Sequence, residues 1–282
     1  MNGSDHLGVC LERPPEVKIM AHGVCGYPDL ETSLRVFRSL ADSGADIIEA
    51  QLPFSDPSAD GPLIVEANHA ALRAGAGTEA CLQMLGRLRA EVEAPIVVMS
   101  YLNPLFSHGV KRIVSRLAAI GIDGLIVPDY PDDEPELELD RIAEAAGIAL
   151  VPLIAPTTDL DRATRLAARV SSPLLYAVLR SGVTGRATEI DGATTERLAR
   201  LRGRTGKFVG AGFGIRTREQ VEALRGKADC AIVGSAVLAA IMAARESGRD
   251  PAEAAGAFIR GLVPAASTAA ARQPGENQRR DS

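Results

Sequence analysis

The chain has 282 residues, 46% hydrophobic and 24% charged, with a formal net charge of −5, which describes one ordinary globular protein able to bury a large core. Both charge signs are mixed along it, no Lys/Arg block stands out and aromatics are only 4%, which argues against nucleic-acid binding and base-stacking platforms. Cys10, Cys25, Cys81 and Cys230 form no CxxC pair or metal-ligand spacing, and neither a signal pattern nor a membrane-length apolar run is visible, so a cytoplasmic chain with reduced thiols, no metal and no membrane contact is expected.

Residues 1–15 are polar and punctuated by Gly and Pro, and read as a flexible lead-in. Residues 17–24 read as a first strand, broken by Gly26-Tyr27-Pro28-Asp29; a helical pattern with Leu34, Phe37, Leu40 and Ala41 on one face then runs to Gly44. The second strand, 46–50, feeds a Pro- and Asp-rich loop, after which helices are expected over 62–74 and 78–92. The third strand, 96–101, is a continuous apolar run, the pattern of a strand covered on both faces; Asn103-Pro104 breaks it before a helix at 110–120. The cycle repeats with strands at 124–127, 149–154, 174–178, 208–211 and 230–233, each followed by a helical stretch, and with a last helix at 251–262. About eight strand–helix units is the number that closes a parallel barrel, so the expected fold class is α/β, a single (β/α)8 TIM barrel with extra helices over 16–264, followed by a disordered polar tail over 265–282. An open doubly wound sheet is disfavoured, because no Gly-rich fingerprint follows the first strand.

Such a barrel keeps its chemistry at the C-terminal ends of its strands. Glu49 stands at the end of the second strand, and Asp60 ends the loop that follows, so these are the first catalytic candidates. A carboxylate at the rim of an apolar core loses solvation and can both accept and give a proton near neutral pH; the alternative for Glu49 is an ion-paired rim residue. Asp60 precedes Gly61-Pro62 and a helix, so its alternative is an N-cap. Gly182-Val183-Thr184-Gly185, Gly212-Phe213-Gly214 and Gly234-Ser235 are glycine-rich strand exits, and the last two fall on the loops where barrels often hold phosphate. Tyr101, Asp129 and Tyr176 also sit at strand ends; each is either a pocket residue or, more plainly, a packing, turn or cap residue. His22 has no partner visible in the sequence and reads as structural.

The chain resembles the tryptophan synthase α-subunit family. The resemblance is carried, in family order between about residues 17 and 263, by Gly26-Tyr27-Pro28, Pro53-Phe54-Ser55-Asp56-Pro57 with Ala59-Asp60-Gly61-Pro62, Tyr101 with Asn103-Pro104, Val127-Pro128-Asp129, Ser181 to Gly185, Gly212 to Ile215 and Gly234-Ser235-Ala236. It implies the retro-aldol cleavage of indole-3-glycerol phosphate to indole and glyceraldehyde 3-phosphate, the last stage of tryptophan biosynthesis. By resemblance Glu49 is the acid/base between indole C3 and the glycerol hydroxyl, and Asp60 stays charged against the indole N–H. Gly185, Gly214, Gly234 and Ser235 hold the phosphate, Tyr101, Asp129 and Tyr176 line the pocket, and the loop around Thr184 acts as a lid. The resemblance implies no cofactor in this chain and an α2β2 complex with a β subunit that carries pyridoxal phosphate, contacted through the PFSDP loop and Asn103-Pro104.

Three positions depart from the family pattern. Gln51 stands where many members have Gly, His22-Gly23-Val24 where an aromatic and Val/Ile-Thr are usual, and Leu179 where Ser is usual. A stand-alone lyase that releases indole and a non-catalytic barrel that only binds a phosphorylated ligand remain as alternatives. A phosphosugar isomerase is disfavoured, since no second Lys or His stands in an obvious acid/base position at a strand end.

Overall fold

The computed structural model describes residues 2–14, 16–131, 138–179, 191–212 and 214–263. Nine parallel strands make one sheet: β1 (Lys18–Val24), β2 (Ile47–Gln51), β3 (Ile96–Met99), β4 (Gly124–Ile126), β5 (Ala149–Leu150), β6 (Leu153–Ile154), β7 (Leu174–Val178), β8 (Phe208–Gly212) and β9 (Cys230–Val233). They pair in the order β5-β4-β3-β2-β1-β9-β8-β7-β6, so the two ends of the list are consecutive in the chain. β5 and β6 are two halves of one stave. Proline has no N–H to donate to a ladder, and Pro152 marks the break. Val151 N donates to Leu125 O at 2.9 Å on one side, and Pro152 O accepts from Tyr176 N at 3.0 Å on the other. The sheet therefore closes on itself as eight staves, the expected (β/α)8 TIM barrel.

Side chains alternate along each stave between two cores. Ile19, Ile48, Val98, Leu125, Leu175, Val209 and Ala231 point outward and pack under the helices. Met20, Ile47, Val97, Ala149, Leu174 and Cys230 point inward and fill the barrel. This double burial is why the strands read as continuous apolar runs. The inward series continues upward into polar groups: above Met20 comes His22, above Ile47 come Glu49 and Gln51, and above Leu174 comes Tyr176.

The lead-in differs from expectation. Residues Gly3–Glu12 form a helix, α1, with Asn2 as N-cap accepting from Asp5 N. Leu7 and Leu11, one helical turn apart, are buried against Met20, Ile47, Val97 and Cys230, so α1 plugs the N-terminal end of the barrel. Gly3 permits the approach, since a Cβ there would lie 2.0 Å from Asp123 O. The loop after β3 also differs: Leu102–His108 is a short helix, α5 in chain order. Pro104 lies in its first turn, where a backbone N–H has no helical partner anyway, so the proline does not break it. The tail at 265–282 lies outside the described residues, and among those described no helix is long and apolar enough to cross a membrane.

Candidate active site

A cleft opens at the C-terminal ends of the staves, lined by His22, Glu49, Asp60, Tyr176, Gly214, Gly234 and Ser235 among apolar residues such as Met99, Ile126 and Ile232. Its empty space, counted out to the open mouth, is about 570 Å³. The two carboxylates and the two glycine exits thus share one cavity.

Glu49 sits in the middle of β2, paired in register with His22 of β1 and Val97 of β3. It is only 3% exposed. Its Oε1 lies 3.2 Å from His22 Nδ1, and Oε2 has no hydrogen-bond partner among the described residues. Asp60 is not the helix cap. Gly61 takes that place at the start of the helix Pro62–Arg73, leaving the Asp60 carboxylate to face the cleft. Its Oδ2 accepts from Gln51 Nε2 at 2.7 Å and from Tyr101 OH at 3.0 Å. Burial pushes the Asp60 carboxyl above its ordinary value; the Gln51 and Tyr101 hydrogen bonds and nearby His22 pull it back in part. These neighbours favour the charged form against desolvation, which remains the larger effect.

The tyrosines separate. Tyr176 lines the cleft, and burial beside Glu49 and Asp60 keeps its phenol protonated. Gly212 makes room for it: a Cβ there would lie 2.4 Å from the Tyr176 ring. Tyr101 does not line the cleft. It stands behind Asp60, its hydroxyl accepting from Ala59 N at 3.0 Å while donating to the carboxylate. Asp129 is not a pocket residue either: it is exposed, and its carboxylate accepts from Leu102 N at 2.9 and 3.2 Å, capping α5. Pro128 is the member of that segment that reaches the cleft.

In the same cavity, Gly214 takes a positive φ of 89°, and Gly234 precedes the helix Ser235–Glu246. A helix N-terminus offers free N–H groups and positive potential to an anion. Thr184 and Gly185, with the rest of the expected lid, lie outside the described residues, as does Phe213. Among the described residues no group of three His, Cys, Asp or Glu could hold a metal ion.

A family model described as "Tryptophan synthase alpha chain" matches residues 13–265. The chain belongs to the tryptophan synthase alpha chain family. It is 36% identical to the tryptophan synthase alpha chain of Desulforapulum autotrophicum over 251 residues, 89% of this chain and 96% of the relative. It is 44% identical to that of Gluconacetobacter diazotrophicus over 215 residues, 76% and 78% of the two chains. Among solved structures it matches a chain of a tryptophan synthase complex from Pyrococcus furiosus with a TM-score of 0.77 and 31% identity, covering 87% of this chain and 97% of that one.

Within this tryptophan synthase alpha fold, two of the side chains that depart from the family pattern, His22 and Gln51, hold the two carboxylates. Gln51 was legible only as a departure from the family pattern; it is fully buried and holds Asp60. His22 was read as structural, and the isomerase reading was disfavoured for want of a second strand-end base. His22 is such a group: it lines the cleft against Glu49. Asn68 was missed altogether. Its Oδ1 accepts from Phe54 N at 2.9 Å and its Nδ2 donates to Ile64 O at 2.8 Å, tying the loop before Asp60 to the helix after it. A carboxamide one helical turn after Ile64, on the buried face of that helix, was the available signal.

Proposed function

We propose that Glu49 and Asp60 carry the cleavage of indole-3-glycerol phosphate to indole and glyceraldehyde 3-phosphate. The observation that carries this reading is the sharing of one cleft by both carboxylates with Gly214, Gly234 and Ser235. The phosphate dianion lies on the glycine exits and the helix N-terminus, which leaves the indole end toward Glu49 and Asp60. Asp60 accepts a hydrogen bond from the indole N–H and stabilises the positive charge that develops as the ring nitrogen pushes electrons toward C3. Protonated Glu49 gives its proton to C3. The bond from C3 to the glycerol carbon breaks, its electron pair returns to the ring, and the hydroxyl on that carbon becomes the aldehyde while its proton passes back to Glu49. The proton count closes, and no step needs a cofactor from this chain. Tyr101 and Gln51 hold Asp60, and Tyr176 covers the apolar wall.

The partner that fits is a β subunit carrying pyridoxal phosphate, in an α2β2 complex. A shallow groove formed by Pro53, Phe54, Leu72, Asn103, Pro104 and His108 lies beside the loop that ends in Asp60. Leu72, one of the two large hydrophobic residues exposed among those described, lines this groove. An apolar rim beside a catalytic loop suits a protein contact that also orders the loop. Indole release from indole-3-glycerol phosphate, measured with and without a tryptophan synthase β subunit, tests both statements. The expected result is turnover that rises severalfold with the β subunit, and a Leu72→Asp variant that loses the rise while keeping its basal rate. No indole under either condition would leave only a phosphate-binding barrel.

A further inference from the structure

We propose that His22 is a positioning residue for Glu49: its Nδ1 holds Oε1, so that Oε2 is the oxygen presented to the substrate. This rests on the lyase reading above and assigns a role to a residue that reading does not use.

His22 and Glu49 are register partners on adjacent parallel staves, which sets their side chains next to each other on the inner face of the barrel. Nδ1 and Oε1 are 3.2 Å apart, and the two side chains are 6% and 5% exposed. Each has one further polar atom buried without a hydrogen-bond partner among the described residues, His22 Nε2 and Glu49 Oε2. Gln51 Oε1 is open as well, and the Gln51 carboxamide is within hydrogen-bonding reach of the imidazole. Buried polar atoms are almost always satisfied, so Glu49 Oε2, left open in a cleft, points to a ligand that completes it.

Gly234 borders the ring on another side: a Cβ placed there would sit in ordinary contact, 3.4 Å from His22 Cβ, Cγ and Cδ2, so the imidazole lies between the Glu49 carboxylate and a glycine exit. A misplacement of about 1 Å at such a point costs rates of order 100-fold.

The groups facing His22 are Glu49 and Gln51 from β2, Asp60 from the following loop, Tyr176 from β7 and Ser235 at a helix start. Lys18, on the same strand, is at the far end of the barrel beside Asp46. Burial pulls the His22 imidazole down, but Glu49, Asp60 and the Gln51 carboxamide together leave it above its usual 6.5. The charged form can donate from both nitrogens, and Glu49 takes one of these bonds.

The test compares wild type, His22→Phe and His22→Asn for indole release across pH in the presence of the β subunit, with circular dichroism melting to verify that all three are folded. Asn retains an amide donor close to the position of Nδ1 but does not titrate. Expected are a kcat about 10- to 100-fold lower in His22→Phe with a KM within about threefold of wild type, recovery of most of the loss in His22→Asn, and absence from both variants of the basic limb seen in wild type. An unchanged kcat and pH profile in His22→Phe, or His22→Asn no better than His22→Phe, overturns the assignment while leaving the lyase reading intact. Wild type without any indole release overturns the lyase reading and this inference with it. A readout free of turnover is the imidazole titration by NMR, with His22 assigned by its loss in His22→Asn: Glu49→Gln should lower the His22 pKa, and an unmoved value contradicts the pairing.

Discussion

Gln51 changes the terms on which Asp60 keeps its charge. Burial alone lifts the Asp60 carboxyl, and the 2.7 Å bond from Gln51 Nε2 is the first of the interactions that bring it back. Replacing Gln51 by Leu removes that donor and lifts Asp60 further. The acid limb of kcat/KM for indole release should then move to higher pH; a limb in the same place would mean that Asp60 does not need its charge. His22 makes a second pH statement, about stability. Its folded-state pKa lies above 6.5, so its contact with Glu49 stabilises the fold fully below about pH 6.5 and is lost as pH rises through the raised value. The difference in urea midpoint between wild type and His22→Phe should shrink over that rise, and a gap constant with pH would contradict the linkage. Neither residue was readable in advance as a partner. The His22–Glu49 contact depends on the register of β1 against β2, and the Gln51–Asp60 contact on how a nine-residue loop folds back. Periodicity reports neither.

At the scale of elements, the staves and most helices were legible because each inward-and-outward buried strand leaves an unbroken apolar run bounded by Gly, Pro or Asp. The errors came where a local signal was weak or meant something else. Leu7 and Leu11 are only two apolar anchors in a ten-residue segment flanked by polar and proline residues, so α1 looked like a tail. Its buried leucines predict otherwise: Leu11→Ala should cost about 2–5 kcal/mol, as emptying a packed site does, lowering the thermal midpoint by several degrees. A midpoint within a degree of wild type would show that the helix is not part of the barrel's floor. Asp129 misled for a different reason. A carboxylate after a strand ending in Pro looks the same in sequence whether it faces a ligand or caps the next helix, and here it reaches back to the N–H of Leu102.

For the molecule as a whole, barrel closure brings together groups that are far apart in the chain. Glu49 and Asp60 from the first quarter meet Gly214, Gly234 and Ser235 from the last, because β1 pairs with both β2 and β9. The residue types and their positions at strand exits were readable from composition and order. That they face one cavity follows from the eight-stave closure that the count of strand–helix units predicts and the pairing of β1 with β2 and β9 realises. On the proposed assignment the chemistry belongs to Glu49 and Asp60 and anion binding to Gly214, Gly234 and Ser235, with His22 lining the same cleft. This division implies that binding and turnover can be separated by one substitution at Glu49. The most direct measurement is calorimetric binding of indole-3-glycerol phosphate to Glu49→Gln, set beside single-turnover indole release from the same protein with its β subunit. With Glu49 as the acid/base, affinity should stay within about threefold of wild type while release falls by at least about 100-fold. Release at the wild-type rate would contradict the assignment.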